Sequence, residues 1–209
     1  MAKFKVQAYN KYKKVAALYD KIAIDYSSKN QNKVPAELEK FSGYFHKKAR
    51  ILDVGCAAGR DTKVLYDKGF NVVGVDFSTE LLKIARNKYP DLSFIKADIR
   101  KLSFSDESFD GIYANAVFHH LLKRDMIPVL RDFNRILRPG GIIYLSTKTG
   151  SGTHTGFDVL SSEKRWFTLI DQNELNRMLC LGGFKKIKLY IRKSSSNRID
   201  WNVAFYKKV

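Results

Sequence analysis

Arg50-Ile51-Leu52-Asp53-Val54-Gly55-Cys56-Ala57-Ala58-Gly59-Arg60, followed by Asn71-Val72-Val73-Gly74-Val75-Asp76, is the stretch whose reading decides the fold. Each half opens on a short apolar run of the kind that fills a strand covered on both faces of a sheet. The first run ends in small residues at Gly55 and passes into an amphipathic segment starting near Asp61. Strand, glycine-rich turn, helix and second strand together predict a crossover unit of a parallel sheet.

Working outward, the pattern repeats. Leu92–Ala97, Phe109–Ala114 and Gly141–Ser146 read as three more strands at crossover spacing, with further helices beginning near Ser78 and Arg124. Ser78 is a fitting N-cap, because Leu81, Leu82, Ile84 and Ala85 follow it at helical spacing. Pro139-Gly140-Gly141 ends the helix Met126–Leu137 and turns the chain into the fifth strand. Thr149–Thr153 reads as a flexible loop, Asp171–Leu181 as a helix stopped by Gly182-Gly183, and Phe184–Ile191 with Trp201–Lys207 as a closing antiparallel pair joined by a turn at Ser194–Asn197. Upstream, two helices are expected over Tyr9–Tyr26 and Pro35–Lys47.

A chain of 209 residues fits one α/β domain of this kind, with 44% hydrophobic and 28% charged residues as in an ordinary folded protein. No apolar run approaches the roughly 18 residues of a membrane span, and Met1-Ala2-Lys3-Phe4 does not open a signal peptide, so a cytoplasmic protein is expected. Cys56 and Cys180 are too few for a disulfide framework or a cysteine-built metal site, and no metal is expected. The net charge of +17 is concentrated in the flanks: residues 1–50 carry 12 Lys and Arg against 4 Asp and Glu, residues 151–209 carry 11 against 5, and residues 51–150 carry 15 against 12. Such flanks can steer an anionic partner such as RNA; a lysine-rich solvated surface accounts for them equally well.

The glycine loop narrows the ligand. Directly after a strand and before a helix, small residues let a ligand approach the backbone and the helix start offers free N–H groups. A dehydrogenase fingerprint would read G-x-G-x-x-G, whereas Gly55, Ala57 and Gly59 are spaced by two and two, which makes a nicotinamide cofactor a poor option. The acid Asp53 before the loop would repel a diphosphate but suits a ligand with an ammonium and a sulfonium. Asp76, 21 residues past Gly55 at the end of the second strand, can accept both hydrogen bonds of a ribose diol; Phe77 can cover an adenine face, and Asp98 with Ile99 can meet its edge.

Taken together, Ile51–Gly59, Asp76, Ala97-Asp98 and Arg138-Pro139-Gly140-Gly141 resemble class I S-adenosylmethionine-dependent methyltransferases. The resemblance spans about residues 15–209 and departs from the family pattern at Ala57 and Ala58, where a glycine is often found. It implies a Rossmann-like sheet of seven strands, mostly parallel with an antiparallel last strand and helices on both faces. It also implies one methyltransferase domain over 1–209, made of a helical lid (1–49), a cofactor-binding core (50–148) and a substrate-side segment with closing strands (149–209). By position it implies that Gly55, Cys56, Ala57 and Gly59 line the methionine part of the cofactor, that Asp76 binds its ribose, that Ser78 follows in the same site, and that Asn115-Ala116 pass under the sulfonium. Leu18–Tyr26 resembles a lid in which Tyr19 and Tyr26 touch the cofactor; a plain core stripe of Tyr12, Tyr19 and Tyr26, seven residues apart, is the competing account.

The acceptor leaves fewer marks. His119 is the one candidate base, with His120 beside it on the substrate side; padding the start of the next helix is the commoner fate of such a pair. Tyr12, Arg165 and Trp166 are further candidates for the acceptor pocket. The segment after the fourth strand, Asn115-Ala116-Val117-Phe118, lacks the Asn/Asp-Pro-Pro-aromatic run of enzymes that methylate exocyclic amines, and neither cysteine stands where a pyrimidine C5 enzyme needs its nucleophile. The flank charge and a resemblance of His119-His120-Leu121 and its following helix to wobble-uridine tRNA methyltransferases make RNA, tRNA in particular, the first acceptor class to test. The alternatives are a small-molecule O- or N-methyltransferase and a non-catalytic S-adenosylmethionine-binding subunit. The oligomeric state leaves no mark in the sequence.

Overall fold

The computed structural model describes residues 2–32, 34–158, 161–194 and 199–209. Its elements run α1 (Ala2–Lys21), α2 (Ala23–Asn30), α3 (Ala36–Ser42), β1 (Arg50–Val54), α4 (Arg60–Asp67), β2 (Asn71–Asp76), α5 (Thr79–Lys88), β3 (Ser93–Lys96), β4 (Phe109–Asn115), a single 3₁₀ turn (Phe118–His120), α6 (Lys123–Ile136), β5 (Leu137–Lys148), β6 (Thr153–Asp158), β7 (Ser161–Thr168), α7 (Gln172–Leu181), β8 (Phe184–Arg192) and β9 (Trp201–Lys208). Seven strands form one sheet in the order β3-β2-β1-β4-β5-β9-β8, and β9 alone runs antiparallel to its neighbours. This is the sheet the sequence implied.

Alternation along the strands sends successive side chains to opposite faces. On one face Leu52, Val54, Ile112, Ala114, Ile143 and Leu145 pack under α6 and α7. On the other, Ile51, Tyr113, Tyr144, Val203 and Phe205 pack under α3 and α4, with the Tyr113 and Tyr144 rings stacked 4.6 Å apart. Burial on both faces is why these strands read as continuous apolar runs.

Three expectations need correction. The upstream helix over Tyr9–Tyr26 bends at Ile22, which leaves helical geometry (φ −100°, ψ 8°), while the bonds Ile22 N to Leu18 O and Tyr26 N to Ile22 O persist. A bend that keeps its hydrogen bonds leaves no Pro or Gly to read. The fifth strand starts at Leu137, so Arg138-Pro139-Gly140-Gly141 lies inside it: the pairing with β4 slips between Phe109 and Gly111 to absorb the turn. The expected loop gives way at Thr153 to an antiparallel hairpin, β6–β7, that stands apart from the main sheet. Thr153-His154-Thr155-Gly156 lacks the apolar alternation by which a strand is recognised. Of the turn expected over Ser194–Asn197, residues 195–197 lie outside the described residues.

Candidate functional site

The site starts in backbone geometry. After β1 the chain turns at Gly55 with φ +76°, and a side chain there would place its Cβ 2.8 Å from the Val117 side chain, so only glycine fits. Gly59, with φ +80°, is needed for a different reason: a Cβ would meet the Phe94 ring at 2.6 Å, so this glycine seats the start of α4 on the sheet. Ala57 and Ala116 also hold left-handed conformations, φ +50° and +58°. Two non-glycine residues at such angles, one in the turn after β1 and one in the turn after β4, mark places where strain is held by the surroundings. For Ala57 the holder is visible. Asp76 accepts its backbone N–H at 2.8 Å with one carboxylate oxygen and that of Ser78 at 2.8 Å with the other. Burial raises the Asp76 carboxyl above its ordinary value, and these backbone donors pull the other way.

The lid is pinned at the starts of three helices. The Tyr12 hydroxyl donates to Asp125 at 2.5 Å and accepts the backbone N–H of Leu122, at the N-cap of α6. Asp20 accepts from the Ser78 hydroxyl at 2.6 Å and the Glu80 N–H at 3.0 Å, capping α5 from outside, while Ser78 caps it from within through Leu81 N–H. The Asn30 carbonyl accepts from Arg60 Nη1 at 3.0 Å, at the first residue of α4. Free N–H groups at helix starts make them natural docking points for lid oxygens, and the first two contacts use them directly.

Between this lid and the carboxyl ends of the strands lies a cavity of about 830 Å³, counting its open mouth. From the lid come Tyr12, Tyr19 and Tyr26; from the strand ends come Gly55, Ala57, Asp76, Phe77, Ser78, Asp98, Ile99, Asn115 and Ala116, with His120 beside them. A second chamber, about 520 Å³ counting its open mouth, shares Tyr26, Gly55, Ala57, Asn115 and Ala116 with it and adds Cys56, Arg60 and Asp61. Asp98 is engaged by the Arg100 guanidinium, whose Nε donates at 2.9 Å and whose plane lies 3.7 Å over the Tyr12 ring.

Five expected site residues line neither chamber: Asp53, Gly59, His119, Arg165 and Trp166. Asp53 is buried and accepts from the Thr62 hydroxyl at 2.6 Å. His119 is buried between the rings of Phe167 (5.2 Å) and Trp201 (5.5 Å). Burial, reinforced by neighbouring His120, pushes its pKa well below the usual range, so it is a neutral packing residue behind the wall. The imidazole that faces the cavity is His120, with Nε2 3.0 Å from the Tyr19 hydroxyl. Arg165, itself buried, reaches the cavity through Tyr19, whose hydroxyl accepts from its Nη1 at 2.8 Å. Trp166 meets the lid through Lys11, whose ammonium lies 3.7 Å over the indole. Sequence reasoning missed Asp20, Asn30, Arg60 and Asp61. Only Arg60-Asp61 carried a signal, as adjacent charges directly after the last loop glycine.

Charge tests whether S-adenosylmethionine fits. Two further carboxylates, Asp61 and Asp76, lie close enough to Asp53 to raise its proton affinity, against the single guanidinium of Arg60. Burial, then the proximity of Asp61, pushes Asp53 up to about 8. A surplus of buried carboxylates suits a ligand bearing a sulfonium and an ammonium, and glycine where a Cβ would clash gives that ligand access to the backbone. Among the described residues, no group of three or more His, Cys, Asp or Glu side chains is placed to hold a metal, and no helix is long and apolar enough to cross a membrane.

Comparison with known proteins agrees with this geometry. Residues 52–145 match a family model described as a methyltransferase domain. Over 135 residues the chain is 31% identical to the malonyl-[acyl-carrier protein] O-methyltransferase of Hamiltonella defensa, covering 64% of this chain and 51% of that protein. Over 92 residues it is 33% identical to the demethylmenaquinone methyltransferase of Renibacterium salmoninarum, covering 44% and 38%. The chain thus spans about half the length, or less, of these curated relatives. Among solved structures, the 1,6-didemethyltoxoflavin-N1-methyltransferase of Burkholderia thailandensis, with 1,6-didemethyltoxoflavin and S-adenosylhomocysteine bound, is similar at a TM-score of 0.70 and 20% identity, covering 94% of this chain and 89% of that one. The sheet order is that of a Rossmann-like methyltransferase fold. By the match over residues 52–145 and the loop it contains, this part of the chain is similar to a class I S-adenosylmethionine-dependent methyltransferase domain.

Proposed function

We propose that this protein transfers a methyl group from S-adenosylmethionine to a small organic acceptor bound under the α1–α2 lid. The observation that carries the reading is the roofed cavity: Tyr12, Tyr19 and Tyr26 close it above the strand ends, and its largely apolar lining carries a few placed polar groups such as Asp76, Asn115 and His120, as a small-ligand site does. The relatives named above act, by their names, on a carrier-bound malonyl group and on demethylmenaquinone, which supports a small acceptor over RNA. The flank charge that favoured RNA has a structural use as well. Lys185, Lys186 and Lys188 stand exposed on β8, the edge strand, where lysines discourage pairing with another sheet.

In this reading S-adenosylmethionine supplies an electrophilic methyl on a sulfonium. The protein positions and encloses. Asp76 receives the ribose diol, Phe77, Asp98 and Ile99 flank the adenine, and Gly55, Ala57 and Asn115-Ala116 bring backbone against the chain leading to sulfur. The tyrosines of the lid exclude water, and the Tyr19 hydroxyl, held between Arg165 and His120, gives the acceptor side a polar anchor. His120 Nε2 is placed to hold a proton through that hydroxyl. Residues 1–49, 50–148 and 149–209 act as lid, donor site and acceptor side of one unit.

Methyl-labelled S-adenosylmethionine incubated with the protein and a cell extract fractionated into metabolites, proteins and RNA tests the proposal. Label is expected in the metabolite fraction. Label confined to RNA would favour the tRNA reading, and no label in any fraction with donor still bound would favour a non-catalytic binding subunit; either result overturns the small-acceptor reading.

A further inference from the structure

Both neighbouring acids at the glycine loop are candidates for the positive end of the donor's amino-acid tail, and the structure separates them. Resting on the donor assignment above, we propose that Asp61, and not Asp53 of the loop motif, is the carboxylate that receives the ammonium of S-adenosylmethionine.

Placement is the first ground. Asp61 stands in the first turn of α4 and lines the second chamber together with Gly55, Ala57 and Asn115, the residues through which that chamber joins the main cavity. Asp53 lines neither chamber and spends its bond on Thr62 inside the fold.

Orientation is the second. Arg60 grips Asp61 with two nitrogens, Nε to Oδ1 at 2.7 Å and Nη2 to Oδ2 at 2.9 Å, and its third, Nη1, is tied to the Asn30 carbonyl of the lid. On the other side Asn115 Nδ2 reaches Oδ2 at a long 3.3 Å, while its Oδ1 accepts from the Ser146 hydroxyl at 2.7 Å, which fixes the amide. A carboxylate offers about four acceptor positions, and here two are firmly used and a third weakly, so one charge-assisted bond remains open towards the chamber.

Charge is the third. Two acids this close do not both ionise readily. Asp53 is driven towards its protonated form by burial and then by the proximity of Asp61, which makes it the poorer partner for an ammonium. In this arrangement Asp53 supports the loop through Thr62 and Asp61 recognises the ligand.

The test is calorimetry with S-adenosylhomocysteine, which carries the amino-acid end, and 5′-methylthioadenosine, which lacks it. Asp61→Asn is expected to weaken S-adenosylhomocysteine about 30-fold, the scale of one charge-assisted hydrogen bond. Methylthioadenosine should stay within about twofold, reporting an intact adenosine site. Asp53→Asn should move both ligands by less than about threefold. Equal losses for the two ligands in Asp61→Asn, an unchanged S-adenosylhomocysteine affinity, or a selective loss in Asp53→Asn instead would overturn the assignment. If Asp61→Asn fails to fold, Asp61→Glu keeps the buried charge and should weaken S-adenosylhomocysteine selectively, and the wild type should bind the des-amino analogue of S-adenosylhomocysteine about 30-fold more weakly than the parent; failure of either result counts against the proposal. A wild type that binds neither S-adenosylhomocysteine nor methylthioadenosine would instead remove the donor assignment on which the inference rests.

Discussion

The two walls of the cavity are built differently. The donor wall consists of strand ends and the turns that leave them: Gly55, Asp76, Asp98 and Asn115 each sit within a few residues of a core strand and inherit its rigidity. The wall proposed to face the acceptor is the α1–α2 lid, an element added around the sheet and braced from behind by the β6–β7 hairpin through side-chain contacts across large sequence distances, such as Arg165 to Tyr19. A donor common to a family can be served by geometry that the sheet dictates, whereas the acceptor is served by parts that can vary without disturbing it. The difference predicts that damage to one wall leaves the other working.

The largest separation should come from Asp76→Ala. Removing the carboxylate that holds Ala57 and Ser78 and, in the proposed function, accepts from the ribose diol is expected to weaken S-adenosylhomocysteine by roughly 100-fold or more, the two bonds to the diol being lost. Calorimetry beside a thermal melt distinguishes this from unfolding. A smaller loss than that of Asp61→Asn would break the ranking.

The buried acids give a pH signature confined to the donor wall. Asp53 titrates near 8 in the fold against an ordinary value of 3.8, so folding favours its protonated form. Its contribution to stability is therefore full below about pH 4 and is lost as pH rises towards and past 8. In the ligand-free protein Asp53→Asn should remove that loss, melting roughly 5 °C or more above the wild type at pH 8.5 and converging on it as the pH falls to about 4. Parallel melting curves across this range would contradict the burial account of Asp53.

On the acceptor wall, Tyr19→Phe keeps the ring and removes the hydroxyl between Arg165 and His120. Turnover of the acceptor is expected to fall by about tenfold while S-adenosylhomocysteine affinity changes by less than about threefold. Equal losses in both would mean that the walls are not separable at Tyr19. The smallest effect belongs to the strained loop: Ala57→Gly relieves a left-handed alanine and should stabilise by about 1 kcal/mol or raise the melting temperature by roughly 2–4 °C, with donor binding retained. A destabilised Ala57→Gly would show that the strain lies elsewhere.

The same division governs what the sequence could reveal. Strands β1, β2 and β4 were legible because burial on both faces leaves an uninterrupted apolar run, Gly55 and Asp76 because they close the first two runs, and Asp98 because it follows the shorter β3 in the same way. The hairpin β6–β7 was not, since its first strand alternates polar residues with glycine and stands clear of the main sheet. His119 and His120 were visible as a pair, but only the three-dimensional path of the 3₁₀ turn decides that His120 faces the cavity and His119 backs it. Asp20 could not be found in advance: its role as an external cap for α5 depends on where a helix 58 residues away begins. Asp53 belongs to the motif the sequence displays, but its burial and its bond to Thr62 become visible only in the fold.

The central claim is that the Arg50–Asp76 unit binds the adenosyl donor. Titrating the purified wild type with S-adenosylhomocysteine and, separately, with NAD in a calorimeter tests it most directly. The account predicts saturable binding of S-adenosylhomocysteine at one site per chain and none of NAD; binding of NAD alone would contradict it.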